Sequence, residues 1–170
     1  MEERILIQLS EVNGMTQAEF VLALGAIFEN SPWVAEAAWA LRPFQSRSEL
    51  HETMLRIIKE MPEAQIHAFF RMHPDLATRL SIGEYSTREQ QGAGLDRLSP
   101  EEFEEFAAAN RQYMERFGFP FIYAVRGSNK SAIWSALQER LTHTLEQEAE
   151  EAMRNIAKIT SFRIGDLIEE

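Results

Sequence analysis

The sequence contains no cysteine, which excludes disulfide bonds, thiolate nucleophiles and cysteine-ligated metal sites. It also lacks any run of 18 apolar residues, so no membrane-spanning helix is expected. Basic residues are scarce, because 17 Lys and Arg stand against 27 Asp and Glu, for a net charge of −10. Nucleic acids and anionic membrane surfaces attract cationic proteins, so neither is expected as a partner. The acidic first residues and their short apolar run make a poor signal peptide, which favours a cytoplasmic location.

Apolar residues recur at helical spacing along most of the 170-residue chain, and polar cap residues separate the runs. No two segments pair convincingly as strands. We therefore predict an all-α fold, a compact single-domain bundle of about eight to ten helices over residues 1–170. The last helix is expected over about residues 145–167. The predicted helix N-caps include Thr16, Ser31, Ser48 and Ser99.

Residues 73–95, HPDLATRLSIGEYSTREQQGAGL, interrupt this helical pattern with polar residues and backbone breakers. His73 ends a predicted helix and allows two interpretations. It is either a solvated histidine stabilised by the helix dipole, or a general acid or base held in one orientation by Pro74. His67 lies six residues earlier, rather than the three or four that place two ligands on one helical face, so no histidine metal site is indicated.

The segment STREQ also allows two interpretations. Ser86 and Glu89 have the spacing of a capping box, which is a structural role. The N-terminus of the helix that follows is equally an anion site, where backbone N–H groups hold a carboxylate or an amide oxygen. Gly92 and Gly94 weaken a helix, and their expected benefit is close approach of the backbone to another helix or to a ligand.

Two further features have a structural and a functional interpretation each. FGFPFIYAV, from Phe117 to Val125, is either a buried connector or a wall against a planar, amide-rich ligand that supplies partners to its backbone. Arg163 is a cation among apolar residues. It either pairs with a carboxylate of the protein or binds a substrate carboxylate bidentately.

Together and in this order, HPDLA, STREQQGAGLD and YMERFGFPFIYAVRG resemble the 2-oxo-4-hydroxy-4-carboxy-5-ureidoimidazoline (OHCU) decarboxylase family. FENSPWVAEAAW and KITSFRIGDLI extend the resemblance over nearly the whole chain. It implies a dimeric, all-helical, cofactor-free enzyme that makes (S)-allantoin and carbon dioxide from the product of uricase and hydroxyisourate hydrolase. A functional association with those two enzymes is therefore expected. The link between HPDLA and S-x-x-E-Q is shorter than in animal members, which indicates a trimmed loop.

The resemblance also implies residue roles. His73 would be the proton donor, and Glu89 the carboxylate that orients the substrate. The residues implied to bind substrate are Pro74, Ser86, Thr87, Arg88, Glu89, Gln90, Phe121, Ile122, Tyr123, Ala124, Val125 and Arg163. No metal and no cofactor is implied, because an imine in the substrate is the electron sink for decarboxylation.

Two rival interpretations remain. The acidic helix faces, such as residues 101–105 and 146–151, would suit a scaffold that meets basic partners, although such charge runs also occur on solvated faces. An enzyme of the same fold that acts on a different ureido or imidazoline acid would keep His73 essential and change the contacts at Ser86 and Phe121.

Overall fold

The computed structural model describes residues 6–74 and 98–170, and these form eight helices and one pair of short strands. In chain order the elements are β1 (Ile7–Gln8), α1 (Leu9–Gly14), α2 (Gln17–Leu24), α3 (Trp33–Trp39), α4 (Arg47–Lys59), α5 (Glu63–Arg71), α6 (Pro100–Phe117), α7 (Lys130–Arg140), α8 (Leu145–Leu167) and β2 (Ile168–Glu169). The all-α prediction is confirmed. The two-residue strands, which the sequence did not indicate, pair in parallel with Ile7 opposite Ile168.

Helix boundaries follow the local capping chemistry. Thr16 accepts from the backbone N–H of Glu19, whose side chain bonds back to Thr16, and Ser99 forms the same box at the start of α6. Gly118 ends α6 in the left-handed conformation at φ 78°, which costs a glycine little. The helix predicted over about residues 145–167 is observed as α8, with the same bounds. The helix starts at Thr16 and Ser99 and the helix end at Gly118, which short-range sequence patterns predicted, are therefore confirmed.

Two predicted caps were wrong. The cap of α4 is Ser46 and not Ser48, because the Ser46 side chain accepts from the backbone N–H of Glu49 at 3.0 Å. Helix α3 starts after Pro32 without a side-chain cap. The Ser31 hydroxyl is used elsewhere, since it donates to the Glu29 carbonyl at 2.9 Å.

The described chain separates into two compact units. The first contains residues 6–66 and 157–170, in which α2 packs on α3 and α3 on α4. Its buried apolar residues include Val12, Phe20, Leu24, Ile27, Phe28, Val34, Phe44, Leu50, Met54, Ile58, Ile159 and Ile164. The prediction that residues 1–170 form a single domain stays a prediction.

The second unit contains residues 67–74 and 98–156 and has an aromatic core. Phe119 lies at its centre, with ring centroids 5.0 Å from Phe70 and 6.1 Å from Tyr113. Tyr113 in turn packs at 4.6 Å from Phe117 and 5.5 Å from Phe121. This cluster positions the end of α5 and the connector after α6 within one unit. No helix among the described residues is both long enough and apolar enough to cross a membrane.

Candidate active site

His73 lies two residues beyond the end of α5 and is only 5% exposed. Its Nδ1 lies 3.3 Å from the Phe69 carbonyl oxygen, and its ring packs edge-on against the Phe69 ring at 5.2 Å. Because a carbonyl oxygen only accepts hydrogen bonds, Nδ1 carries the hydrogen. The neutral ring therefore has its lone pair on Nε2. The interpretation of His73 as a solvated helix-end residue is wrong, since the side chain is buried and oriented.

Residues 121–125, which we call the connector segment, follow the left-handed Gly118 without helix or strand structure. Phe121, Ile122 and Val125 are at most 3% exposed, so the backbone here needs partners inside the protein. The preceding Phe119 packs on Phe70, three residues before His73. One unit thus contains His73 and the connector segment.

Two side chains from the following helices hold the connector backbone. Arg140 at the end of α7 donates from Nη1 to the Ile122 carbonyl at 2.7 Å. Asn155 of α8 accepts from the Ala124 N–H at 3.0 Å. Two side chains of the protein therefore bond the connector backbone, a role for which the sequence analysis had also considered a ligand.

Arg140 belongs to a buried polar group that we call the Glu148 cluster, formed by Tyr113, Arg140, His143 and Glu148. Glu148 is fully buried and accepts from the Tyr113 hydroxyl at 2.5 Å and from Arg140 Nε at 2.7 Å. Its other oxygen lies 2.8 Å from His143 Nδ1. Burial raises the pKa of Tyr113 well above its ordinary value, so the hydroxyl stays protonated and donates.

Sequence reasoning missed the Glu148 cluster and Asn155. A signal was present, because Glu148 and Asn155 share one face of α8 with the buried apolar residues Ala152, Ile156 and Ile159. Polar residues on an apolar helical stripe indicate a buried polar network. The abundance of glutamate in this part of the chain hid that signal.

Arg163 lies in the first unit and is 1% exposed. Its Nη1 donates to the Ile27 carbonyl at 3.0 Å, and its Nη2 donates to Glu29 at 2.8 Å. The predicted pairing with a carboxylate of the protein is therefore present. The alternative role, binding of a substrate carboxylate, stays a prediction.

A polar groove of about 340 Å³ also lies in the first unit. Its lining residues are Arg47, Ser48, His51, Ser161, Ile164, Gly165 and Glu170. None was predicted as a site residue. Ser161 and Ile164 flank Arg163 in sequence, whereas Arg163 itself is buried.

The remaining predicted site residues lie outside the described ranges. They are Ser86, Thr87, Arg88, Glu89 and Gln90. Pro74 is the last residue described before that gap and is partly buried. Among residues 6–74 and 98–170, no group of three His, Asp or Glu side chains is placed to hold a metal ion.

Fold and site together define a class of protein: an all-α chain that contains, within one unit, a buried, oriented histidine and a backbone segment held from two sides. A family model described as OHCU decarboxylase matches residues 13–165. The chain belongs to the OHCU decarboxylase family.

Relatives at the sequence level support this assignment. The chain is 41% identical over 165 residues to the uric acid degradation bifunctional protein PucL of Bacillus subtilis, covering 97% of this chain and 33% of that protein. It therefore spans about a third of the length of that relative. The 2-oxo-4-hydroxy-4-carboxy-5-ureidoimidazoline decarboxylase of Haloferax volcanii is 38% identical over 160 residues, covering 94% of this chain and 95% of that protein.

Solved structures share the fold. A crystal structure of (S)-allantoin synthase has a TM-score of 0.75 at 30% identity, covering 95% of this chain and 54% of that one. A structure of OHCU decarboxylase in the presence of (S)-allantoin has a TM-score of 0.65 at 23% identity, covering 89% of this chain and 96% of that one. The second likeness establishes the fold alone.

Proposed function

We propose that this chain decarboxylates 2-oxo-4-hydroxy-4-carboxy-5-ureidoimidazoline to (S)-allantoin and carbon dioxide without a cofactor. Membership of the OHCU decarboxylase family supports the reaction class and its place in urate breakdown. The single structural observation that carries the proposal is His73, a buried imidazole oriented by its bond to the Phe69 carbonyl. The scaffold interpretation predicts instead that substitution of His73 has no effect on function.

The substrate itself supplies the electron sink. Its carboxylate sits on a ring carbon next to a C=N bond, so the electron pair of the breaking C–C bond moves toward the imine nitrogen. Carbon dioxide leaves, and an enaminol-like intermediate remains. The former imine nitrogen takes up a proton, the carbon that carries the ureido group takes up a second, and the enol hydroxyl releases its proton as it becomes the carbonyl of allantoin, so that one proton is gained in all. Delivery of the proton to one face of the ring fixes the (S) configuration.

His73 is the proposed proton donor. With Nδ1 bonded to the Phe69 carbonyl, the imidazolium presents Nε2–H as the group that is transferred. Burial within an aromatic environment limits exchange with water, which favours delivery from one direction. General acid–base catalysis of this kind contributes about 10²–10⁴-fold.

Binding of the polar ring edges and the ureido arm is assigned to the other predicted residues. In the proposal, Glu89 orients the substrate hydroxyl or the imidazole, and backbone N–H groups near Ser86 hold the polar edges. The connector segment provides a wall of Phe121 and backbone contacts. Positioning supplies much of the remaining acceleration.

The setting follows from the same family assignment. We propose a homodimer that works in the cytoplasm. It would act on the product that uricase and hydroxyisourate hydrolase form. The tryptophans are candidate interface residues, and Trp33, Trp39 and Trp134 are each partly exposed. Gel filtration with light scattering tests the dimer, since a species of one chain mass contradicts it.

The activity is tested by making the substrate in situ from urate with uricase and hydroxyisourate hydrolase. This protein is then added with a chelator, and circular dichroism follows the formation of optically active allantoin. Rapid appearance of the (S) enantiomer, unaffected by the chelator, supports both the reaction and its independence of metal. If only the slow racemic background is seen, the assignment of this substrate is wrong, and related ureido acids are assayed next.

A further inference from the structure

Three of the five residues of the connector segment are buried, and yet the segment has no secondary structure of its own. Its conformation therefore depends on the groups that bond its backbone and pack on its rings. Two side chains from helices further along the sequence do the bonding, Arg140 at the Ile122 carbonyl and Asn155 at the Ala124 N–H. The middle of the segment is thus held by α7 and α8, while its end bonds locally, since the Val125 carbonyl accepts from the Ser128 N–H at 3.0 Å.

Arg140 fixes more than one atom of the segment. Its guanidinium carbon lies 4.6 Å from the centre of the Phe121 ring, in cation–π geometry, while Nη1 bonds the neighbouring Ile122 carbonyl. The Tyr113 ring meets the Phe121 ring edge-on at 5.5 Å. One planar cation therefore sets both the backbone and the side chain at the start of the connector segment.

Glu148 sets the orientation of Arg140. Its carboxylate accepts a hydrogen bond from Arg140 Nε at 2.7 Å, and this bond directs Nη1 toward the Ile122 carbonyl. The same carboxylate also accepts from the Tyr113 hydroxyl. A buried ion pair is often no more stabilising than apolar residues of the same volume, because both charges lose their hydration. A gain in stability is therefore a weak explanation for the buried Arg140–Glu148 pair. A requirement for one fixed geometry of the connector segment is a sufficient explanation.

We propose that Arg140, oriented by Glu148 and Tyr113, is a positioning residue that places the connector segment for substrate binding. This inference rests on the proposed function, in which the connector segment contacts the substrate. Arg140 acts through the Ile122 carbonyl and the Phe121 ring, and the binding geometry depends on its rigid fork. Lysine keeps the charge but has a single nitrogen, which does not bond Glu148 and the Ile122 carbonyl in the same directions.

The test compares Arg140→Lys with wild type by steady-state kinetics on the substrate generated in situ. We expect KM to rise by about 10- to 100-fold with kcat changed much less, because misplaced binding groups weaken binding of the substrate. Phe106→Leu is the matched control, since Phe106 is buried in the same unit and its ring packs against Trp134 at 5.1 Å. That control should lower stability and leave KM near the wild-type value.

Tyr113→Phe is a milder second variant if the lysine variant does not fold. It removes the hydroxyl that donates to Glu148 and accepts from Arg140 Nη2 at 3.4 Å, and it keeps the Arg140 bonds to Glu148 and to the Ile122 carbonyl. A rise in KM of about two- to fivefold is expected, in line with partial loss of orientation. An unchanged KM in folded variants of both Arg140 and Tyr113, or in Tyr113→Phe alone if only that variant folds, overturns the inference.

Amide hydrogen exchange of a peptide covering residues 119–126 is a second readout that does not need activity. Faster exchange there in Arg140→Lys, but not in Phe106→Leu, is expected if Arg140 holds the segment. Faster exchange with an unchanged KM means that the cluster is only structural, which overturns the inference. If wild type itself makes no (S)-allantoin, the proposed function is wrong. Unchanged amide exchange of residues 119–126 in Arg140→Lys would, independently of activity, refute the claim that Arg140 holds the connector segment.

Discussion

Removal of one partner of the buried Arg140–Glu148 pair should destabilise the protein far more than removal of an exposed ion pair. In Arg140→Met, Glu148 stays fully buried but loses its Nε donor at 2.7 Å, and the Ile122 carbonyl loses its donor at 2.7 Å. Breaking a buried pair in this way costs about 3–5 kcal/mol, and an unpaired buried carbonyl accounts for about 1–3 kcal/mol of such losses.

Glu148→Leu should cost a similar amount, because Arg140 then lacks its counter-ion and Tyr113 lacks its acceptor. The double variant removes both charges. Since the two side chains share one network, their effects should not add, and the double variant should fall short of the sum by about 1–3 kcal/mol.

Chemical denaturation followed by circular dichroism at 222 nm gives the four free energies of unfolding. Arg154→Met is the exposed control, since Arg154 pairs with Glu151 at 2.6 Å and its side chain is 62% exposed. We expect its loss to stay below about 1 kcal/mol. If the losses at Arg140 and Glu148 are as small as this, or if they add in the double variant, the account of the cluster as one coupled network is wrong.

Three other predictions concern caps, backbone conformation and titration. Ser99→Ala should lower the free energy of unfolding by about 1 kcal/mol, because α6 loses its capping box, and denaturant titration measures this directly. Gly118→Ala should destabilise by about 1 kcal/mol through its φ of +78°, whereas Gly165→Ala within α8 should stabilise by up to about 1 kcal/mol. A Tm that does not fall in Gly118→Ala, or that falls in Gly165→Ala, would contradict the corresponding prediction. Burial lowers the pKa of His51, so the unfolded chain binds the proton more readily, and stability should fall as pH drops below about 6.5. His51→Gln should flatten that part of the profile, and an unchanged slope would show that other groups cause it.

Short-range chemistry explains why most of the fold could be predicted. Caps such as Thr16 and Ser99 and the stop at Gly118 depend on residues within about one helical turn, and each was confirmed. Ser46 and Ser48 are both serines near one helix start, so only the backbone decides which of them caps α4.

The candidate site was predictable only in part, because its decisive contacts join distant residues. Nothing local to Arg140 indicates that its guanidinium reaches the Ile122 carbonyl, 18 residues earlier in the chain. Likewise, the burial of His73 follows from aromatic packing around α5 and not from the HPDLA motif. Sequence motifs named the residues of the connector segment, whereas tertiary structure was needed to find what holds it.

The role of His73 is the central claim, and its most direct test is the initial rate of (S)-allantoin formation by His73→Asn. Asparagine retains an N–H that can reach the Phe69 carbonyl but lacks the transferable proton of Nε2. His67→Asn is the matched control, since His67 lies on α5, which ends two residues before His73, and its ring packs against Phe70 and Phe119. We predict a loss of about 10²–10⁴-fold for His73→Asn with the fold intact, and a far smaller loss for His67→Asn. A near-normal rate in folded His73→Asn would contradict the account.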